Sequence, residues 1–289
     1  MGKHLPKKIT SNLKYFLSAL AKPQIKHFLV YLIGLIWLIK FHSTREIASQ
    51  VAKTLPDNLQ RFLNGSVKKQ KRLQETSQKL LARMANKQPE VFAVIDDTTC
   101  AREGKKIEGL GIHHSSDGLA TGQCAVTCVL KIAGEWLAWS VRGYRPKLSC
   151  PKGEFRSKID LAKEILQDIR QKIHTSVMVL MDSWYTCAPI LIPIIEAGWT
   201  FVAAIKCNRI LEIGGKKTVV RHLAFGHVFM RSWQGVQTHW TLVMIAYNLV
   251  ILSAPKHLKG FRQKIRHFRN TITYQDLLRL SNVSAQRSK

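Results

Sequence analysis

Residues 91–99 read Val-Phe-Ala-Val-Ile-Asp-Asp-Thr-Thr, and this segment is the strongest indication of the architecture. Its first part, residues 91–95, is wholly apolar and rich in β-branched side chains, which is typical of a central strand covered on both faces. A second apolar run, residues 177–181, ends in the same way at Asp182. The repetition predicts two neighbouring buried strands that each carry an acid at the carboxyl end, where sites form in open sheets.

Further strands and helices surround these two runs. Three more strand-like segments lie at residues 123–132, 135–141 and 199–205. Ala133-Gly134 is a hairpin-length turn between the first two of them. An amphipathic helix opens at residues 151–153 and keeps Lys158 outside its apolar stripe, and another helix covers residues 188–197. The order β-β-β-α-β-α-β predicts an α/β fold with a mixed sheet.

The composition excludes several classes of protein. The chain has 289 residues, with 45 Lys+Arg against 18 Asp+Glu, a formal net charge of +27 and 46% hydrophobic residues. The hydrophobic content is enough for a buried core, which excludes a disordered basic tail. The six cysteines form no C-x-x-C pair, so they indicate reduced thiols of a cytosolic protein rather than a secreted disulfide scaffold. A strongly positive protein most often has nucleic acid as its partner.

One apolar segment leaves a membrane-surface protein open as an alternative. Residues 28–39 form an unbroken apolar run of 12 residues, flanked by Lys26 and Lys40. As a helix this run would cover about 18 Å, against the roughly 30 Å of hydrocarbon that a spanning segment must cross. The length therefore favours a buried core helix over an anchor, and no membrane partner is expected.

The first 90 residues predict a helical domain. Ser43-Thr44-Arg45-Glu46 has the form of a capping box, so a helix is expected to begin there. Pro56 ends it, and a second short helix runs from Asn58 to near Gly65. Two short helices after a hydrophobic one give the outline of a helix-turn-helix, although many helix pairs share that outline without binding DNA.

Charge favours DNA binding by this region. Residues 1–90 hold 17 Lys+Arg and 4 Asp+Glu, and the difference is a net charge of +13. The basic cluster at residues 68–72 could reach several phosphates, with a solvated helix face as the alternative. The residues expected to contact DNA here are Arg45, Arg61, Lys68, Lys69, Lys71 and Arg72. Lys206 and Arg209, which follow the last strand, are further candidates for phosphate contact.

Asp97 and Asp182 point to phosphodiester chemistry. Two carboxylates a few ångströms apart repel each other, and a fold tolerates that mainly when a divalent cation lies between them. Hard oxygen ligands suit Mg²⁺ or Mn²⁺, and two such ions could activate a water or a 3′-hydroxyl and stabilise the leaving oxygen. The alternative is that the aspartates are ordinary caps of a turn and a helix.

Two other residue types near these acids have simpler interpretations. Trp184, just past Asp182, could stack on a base or close the core, and the core is favoured. Cys124 and Cys128 lie four apart on one face of a strand and are best explained as small buried hydrophobes rather than metal ligands.

Several motifs resemble DDE transposases of bacterial insertion sequences, and among them the insertion-sequence-four superfamily. The resemblance runs over most of residues 20–255. The motifs that carry it are Ile95-Asp96-Asp97-Thr98-Thr99, Met181-Asp182-Ser183-Trp184-Tyr185, Ala204-Ile205-Lys206-Cys207-Asn208-Arg209, Met230-Arg231-Ser232-Trp233-Gln234-Gly235 and His239-Trp240-Thr241-Leu242-Val243. It implies an RNase H-like core in which Asp97, directly before the Thr pair, and Asp182 are the first and second catalytic, metal-binding aspartates.

The resemblance also implies an organisation and a function. Residues 1–90 would be the helical DNA-binding domain, residues 91–255 the RNase H-like core, and residues 256–289 a basic C-terminal tail. Such a protein binds transposon terminal inverted repeats and target DNA, cleaves strands with Mg²⁺ (or Mn²⁺) and joins the ends. The resemblance allows a homodimer in a synaptic complex, and the expected location is the bacterial cytoplasm, at the nucleoid.

The family's third carboxylate is missing from this pattern. It is a Glu on a late helix, in a Tyr-x-x-Arg-x-x-x-Glu-x-x-x-x-x-x-Lys motif, and the acids that follow Asp182 here are only Glu196, Glu212 and Asp276. We hypothesise an internal deletion between about Leu223 and Phe225 that removed it. Cleavage is then expected to be impaired or absent, because two carboxylates hold the metal ions less well than three. Misplacing the reacting groups by about 1 Å can lower the rate about 10²-fold. The alternative is an inactive DNA-binding remnant that competes with an intact copy.

Overall fold

The structure is a computed structural model that describes residues 7–38, 43–52, 55–104, 107–115, 118–203 and 233–272. In chain order its helices and strands are α1 (Lys7–Ser18), α2 (Lys22–Trp37), α3 (Thr44–Ile47), α4 (Pro56–Leu63), α5 (Val67–Ala85), β1 (Glu90–Ala101), β2 (Gly111–Ser115), β3 (Gly118–Ile132), β4 (Glu135–Tyr144), α6 (Lys158–Lys172), β5 (Ser176–Met181), α7 (Ala188–Glu196), β6 (Thr200–Ala203), α8 (Trp233–Ser253) and α9 (Phe261–Thr271). The chain divides into two compact units. We call Met1–Thr76 with Thr218–Lys289 the helical unit, and Ser77–Lys217 the sheet unit.

The helical unit has an apolar centre built from α2 and α8. Residues 28–36 of α2 are buried, which confirms the expectation of a core helix there. α8 contacts α1, α2, α4 and α9, and the Tyr31 hydroxyl lies 2.8 Å from Nδ1 of His239 between α2 and α8. Within the described residues, one helix, Gln234–Ser253, is long and apolar enough to cross a membrane by length and composition, and 94% of its apolar window is buried in the protein.

The first short helix of this unit begins where the sequence predicts, and the second begins at Pro56, two residues before the predicted start at Asn58. Ser43 is the N-cap of α3, and its hydroxyl accepts a hydrogen bond from the backbone N–H of Glu46 at 3.1 Å. Pro56 is the first residue of α4, a position at which its missing N–H costs no hydrogen bond. The buried residues of α4 are Leu59, Phe62 and Leu63. Arg45 on α3 and Arg61 on α4 are exposed.

Both ends of the chain contribute to the helical unit. The sequence placed the residues of α8 in the core at 91–255 and those of α9 in a tail, whereas the structure groups both helices with residues 1–76. The physical reason is apolar burial, because α8 is covered by the N-terminal helices and α9 buries Ile265 and Phe268. The first helices of the chain therefore share their core with residues that lie about 200 positions later.

The sheet unit contains a six-stranded mixed sheet in the order β2-β3-β1-β5-β6, with β4 also paired to β3. β3 runs antiparallel to β1, β2 and β4, whereas β5 runs parallel to β1 and β6. The predicted turn between β3 and β4 is present, and Ala133 and Gly134 have φ values of 51° and 83°, as a type I′ hairpin requires. These observations confirm the predicted α/β class with a mixed sheet.

β1 differs from its prediction in length. The apolar run predicted a strand that ends before the two aspartates, but antiparallel pairing with β3 continues as far as Ala101↔Gly122. Parallel pairing with β5, in contrast, stops at Ile95↔Met181. The polar residues after Ile95 are thus in strand conformation and paired on one side only. β2, a strand that the sequence did not predict, extends this antiparallel part of the sheet.

Candidate active site

Asp97 and Asp182 lie at the same edge of the sheet. Ile95↔Met181 is the last pair between β1 and β5, so Asp182 follows it directly and Asp97 lies two residues past Ile95. Side chains alternate along a strand, and Asp97 therefore shares the face of Ile95. Burial is the main cause that raises the pKa of Asp182, and the negative charge of Asp97 raises it further, against two backbone N–H groups that act to lower it. The register thus brings the two carboxylates into electrostatic contact.

Asp96 and Asp97 have different surroundings. Asp96 is exposed, and its Oδ1 accepts a hydrogen bond from the backbone N–H of Asp97 at 2.8 Å. Asp97 is on the opposite face, with its side chain 17% exposed. Asp97 does not cap a turn, because β1 continues through it as far as Ala101. Asp97 is the acid that faces the cluster of polar groups at the sheet edge.

Three side chains donate to the carboxylate of Asp97. Lys158 Nζ lies 2.6 Å from Oδ2, Cys124 Sγ lies 3.5 Å from Oδ2, and the hydroxyl of Tyr185 lies 3.2 Å from Oδ1. Burial, with the nearby charge of Asp97, raises the pKa of Cys124 to about 12 and also raises the pKa of Tyr185. Both groups stay protonated at neutral pH and are therefore donors.

Lys158 is the residue of this site that the sequence misplaced. It was expected on the outer face of its helix, but it is the first residue of α6, directly after the N-cap Ser157. From that position its ammonium reaches Asp97 and lies 5.7 Å from the ring centre of Tyr144 and 5.9 Å from that of Trp184. Burial acts to lower the pKa of Lys158, but its contacts with Cys124 and with the negatively charged Asp97 outweigh burial and raise that pKa.

Asp182 opens a tight turn toward α7. Its Oδ1 accepts the backbone N–H of Trp184 at 3.0 Å, so it does make the local hydrogen bond of a cap. Trp184 itself is 62% exposed, which overturns the expectation that it closes the core. Tyr185, the next residue, is fully buried instead. The site therefore has an exposed indole beside two carboxylates.

Among the residues that the structure describes, no third acid joins Asp97 and Asp182 in a group that could hold a metal, and the adjacent Asp96 lies on the opposite face of β1. Glu196 is exposed at the end of α7, and that end precedes β6, so it lies at the edge of the sheet opposite to Asp182. The other acids after Asp182 and the deletion hypothesised near residues 223–225 lie outside the described residues, as do Lys206 and Arg209.

The side chains of this candidate site, in the arrangement that the structure shows, do not fit a divalent metal ion. Over the described ranges, no group of three or more His, Cys, Asp or Glu side chains could hold a metal. Both oxygens of Asp97 already accept hydrogen bonds, and a positive ammonium stands at one of them. The predicted Mg²⁺ (or Mn²⁺) site therefore lacks a third carboxylate and competes with Lys158.

The basic residues predicted to contact DNA divide into two groups. Exposed side chains belong to Arg45, Arg61, Lys68, Lys71 and Arg72. Lys69 is buried, 3% exposed, with its ammonium 4.0 Å from the ring centre of Phe62, and burial lowers its pKa to about 8. Lys69 is therefore not among the surface charges of α5, and we remove it from the expected DNA contacts.

The chain matches a known protein family. Residues 15–221 match the model of the family described as DDE superfamily endonuclease, well over half of the chain. No curated protein matches it. Among solved structures, a cryo-EM structure of the piggyBac transposase synaptic complex with hairpin DNA is similar at 10% sequence identity and a TM-score of 0.47, covering 96% of this chain and 80% of that one.

Proposed function

This chain belongs to the family of DDE superfamily endonucleases, and from that premise we propose that it is a transposase-type protein that binds DNA and has Asp97 and Asp182 as its catalytic carboxylates. The observation that carries the proposal is the register of β1 and β5, which sets both acids just beyond the pair Ile95↔Met181. The motifs around these acids support the finer assignment to insertion-sequence transposases of the insertion-sequence-four superfamily.

DNA binding is proposed for the exposed cations of the helical unit. Lys68, Lys71 and Arg72 stand at spacings of three and four residues, so they share one face of α5. Arg45 and Arg61 add exposed charge on the preceding short helices. Such a surface suits the phosphates of double-stranded DNA, here transposon terminal inverted repeats and target DNA. The proposed setting is a homodimeric synaptic complex at the bacterial nucleoid.

Trp184 is proposed to contact the end of the DNA. Its exposed indole lies within 6 Å of the Lys158 ammonium, beside Asp97 and Asp182. Aromatic side chains stack on unpaired bases, and such stacking contributes about 1–3 kcal/mol per base. A nucleobase on Trp184 would place its backbone near the acidic edge of the sheet.

Strand cleavage is proposed to be impaired. Two carboxylates remain where the family implies three, and the part of the chain that the structure describes does not fit a metal ion with Lys158 in place. This observation also favours a second candidate function, a DNA-binding protein without catalysis that competes with an intact transposase for the terminal repeats. The deletion near residues 223–225 remains our hypothesis for the loss of the third acid.

The test of DNA binding uses the full chain and double-stranded fragments taken from both flanks of its own reading frame. We expect a specific gel shift in which log K falls with log salt by about 0.9 per phosphate contacted. Replacing Lys68, Lys71 and Arg72 by Gln should reduce that slope by up to about 3, whereas Lys147→Gln with Lys152→Gln should leave it unchanged. An affinity that is flat in salt would contradict the proposed interface.

Cleavage on the same fragments with Mg²⁺ or Mn²⁺ separates the two candidate functions. Weak cleavage that disappears in Asp182→Asn supports an impaired transposase, and a retained shift without cleavage supports the competitor. Robust cleavage lost in Asp182→Asn would contradict the impairment. Cleavage that survives this substitution would contradict the assignment of the catalytic acids.

A further inference from the structure

Asp97 is surrounded by donors on both oxygens. Lys158 and Cys124 donate to Oδ2, and Tyr185 donates to Oδ1. Cys124 and Tyr185 are neutral donors on the sheet and on the turn after β5, so only Lys158 brings charge to Asp97 within this set. In the structure, the ammonium of Lys158 is therefore the cation that is bound to Asp97.

The position of Lys158 is fixed from several sides. Ser157 and Asp160 cap the start of α6 reciprocally, because the Ser157 hydroxyl accepts from the Asp160 N–H and the Asp160 carboxylate accepts from the Ser157 N–H. The ammonium then lies near the rings of Tyr144 and Trp184, with the side chain 17% exposed. The helix start therefore directs this long side chain to the sheet edge rather than into solvent.

We infer that Lys158 is a tethered cation that occupies the place at Asp97 where a divalent metal ion would bind, so that a metal ion binds only after Lys158 withdraws. Oδ2 is 2.6 Å from the ammonium, and an ion bound to the same oxygen at about 2.1 Å would meet a like charge in direct contact. The inference rests on the proposed function, since it takes Asp97 and Asp182 as the metal-facing acids.

Lys158 can withdraw without unfolding the site. It is at the first residue of α6, it is attached by a flexible four-carbon stem, and α6 starts beside solvent-exposed residues at 151–154. Tyr185 and Cys124 keep their hydrogen bonds to Asp97 when the ammonium leaves. Metal affinity is thus set by a competition between one intramolecular charge and one ion from solution.

The test is Mn²⁺ binding to the full-length protein by isothermal titration calorimetry. We compare the wild type with Lys158→Met and with the matched control Lys163→Met, which removes a lysine one turn further along α6. Lys158→Met is expected to bind Mn²⁺ at least tenfold more tightly than the wild type, and Lys163→Met to bind it like the wild type. Adding Asp97→Asn to Lys158→Met should abolish the gain.

Other outcomes overturn the inference in distinguishable ways. Equal affinities of the wild type and Lys158→Met, both lost on Asp182→Asn, would leave the proposed acidic centre intact and refute the tethered cation. Absence of Mn²⁺ binding in every variant, Lys158→Met included, would refute both the inference and the proposed centre.

A measurement on the wild type alone keeps the inference testable if Lys158→Met does not fold. Acetylation of lysines, read by peptide mass spectrometry, should find Lys158 protected without metal and several-fold more reactive in saturating Mn²⁺. Lys163 is the internal reference and should not change. Unchanged protection of Lys158 in saturating Mn²⁺ would refute the withdrawal.

Discussion

Two charge clusters at opposite ends of α6 have opposite balances. Near the end of the helix, Asp168 accepts from Arg142 Nη2 at 2.5 Å and from Lys172 Nζ at 3.5 Å, so two cations surround one acid. At its start, Lys158 is the cation of the pair with Asp97, and its positive charge also acts on the pKa of Asp182. At the start of α6, one cation, Lys158, therefore interacts with two acids, Asp97 and Asp182.

The difference indicates which cluster serves the fold. The Asp168 cluster ties β4 to α6 and compensates its acid fully, as a structural cross-link does. The edge with Asp97 and Asp182 keeps uncompensated negative charge in a chain that has 45 Lys+Arg for 18 Asp+Glu. A chain with so many cations leaves few acids uncompensated, and an acid whose pKa is raised by burial and by a neighbouring carboxylate, as that of Asp182 is, is typical of functional sites.

The largest effect on stability is expected at Asp168. Asp168→Asn leaves Arg142 and Lys172 half-buried without their carboxylate, and we expect it to lower the free energy of unfolding by about 2–3 kcal/mol. Urea denaturation measures this. Glu164→Gln on the same helix is the control, because its exposed ion pair with Arg156 should contribute less than about 1 kcal/mol. Equal effects of the two substitutions would contradict a structural role for the Asp168 cluster.

An effect of intermediate size on the free energy of unfolding is expected at Tyr185. Tyr185→Phe removes the hydroxyl that donates to Asp97, and we expect a loss of about 1.5 kcal/mol because hydrogen bonds to charged groups are the stronger ones. The measurement is again the free energy of unfolding in urea. In an Asp97→Asn background the same change should cost clearly less, and a cost that stays the same would show that the hydroxyl acts independently of Asp97.

The smallest effect on the free energy of unfolding is expected at Asp182, where substitution should stabilise the protein rather than destabilise it. Its pKa is raised above the ordinary value of 3.8, first by burial. Between the two values the folded state holds more protons than the unfolded one, so this acid lowers stability as the pH rises through that window. In metal-free buffer Asp182→Asn, which can still accept from Trp184 N–H, should therefore gain about 0.5 kcal/mol at pH 7.

That gain should fade as the pH falls through this window and be absent below 3.8, where the carboxyl is protonated in both states. Denaturation midpoints of the wild type and Asp182→Asn across this range measure it. A loss at pH 7 comparable to that of Asp168→Asn would remove the distinction between the two clusters.

The parts of the fold that depend on apolar patterning could be predicted from sequence. Residues 91–95 and 177–181 are strands because a continuous apolar run is stable only where both faces are covered. β2 was missed because Gly111–Ser115 carries two histidines and little apolar pattern, and its strand conformation depends on pairing with β3. The grouping of α8 with the first helices also depends on distant contacts that local patterns do not contain.

The site was predictable only in its acids. Asp97 and Asp182 follow the apolar runs of β1 and β5, and the parallel pairing of those runs places both acids at the same end of the sheet. Lys158 was missed because a helical wheel treats every turn alike, whereas a side chain in the first turn can reach back past the helix start. The useful signal was Ser157, whose cap fixes where α6 begins. Lys69 was misplaced for a related reason, because charge counting does not show that Phe62 covers it.

The divided helical unit has a consequence for how the chain is made on the ribosome. The sheet unit, Ser77–Lys217, is one continuous stretch and can fold as soon as it emerges. Helices α1, α2 and α4 pack on Trp233–Ser253, so their shared core is complete only after that helix has emerged. The basic surface proposed to hold DNA is thus completed last during synthesis, and a nascent or prematurely terminated chain would not yet present it.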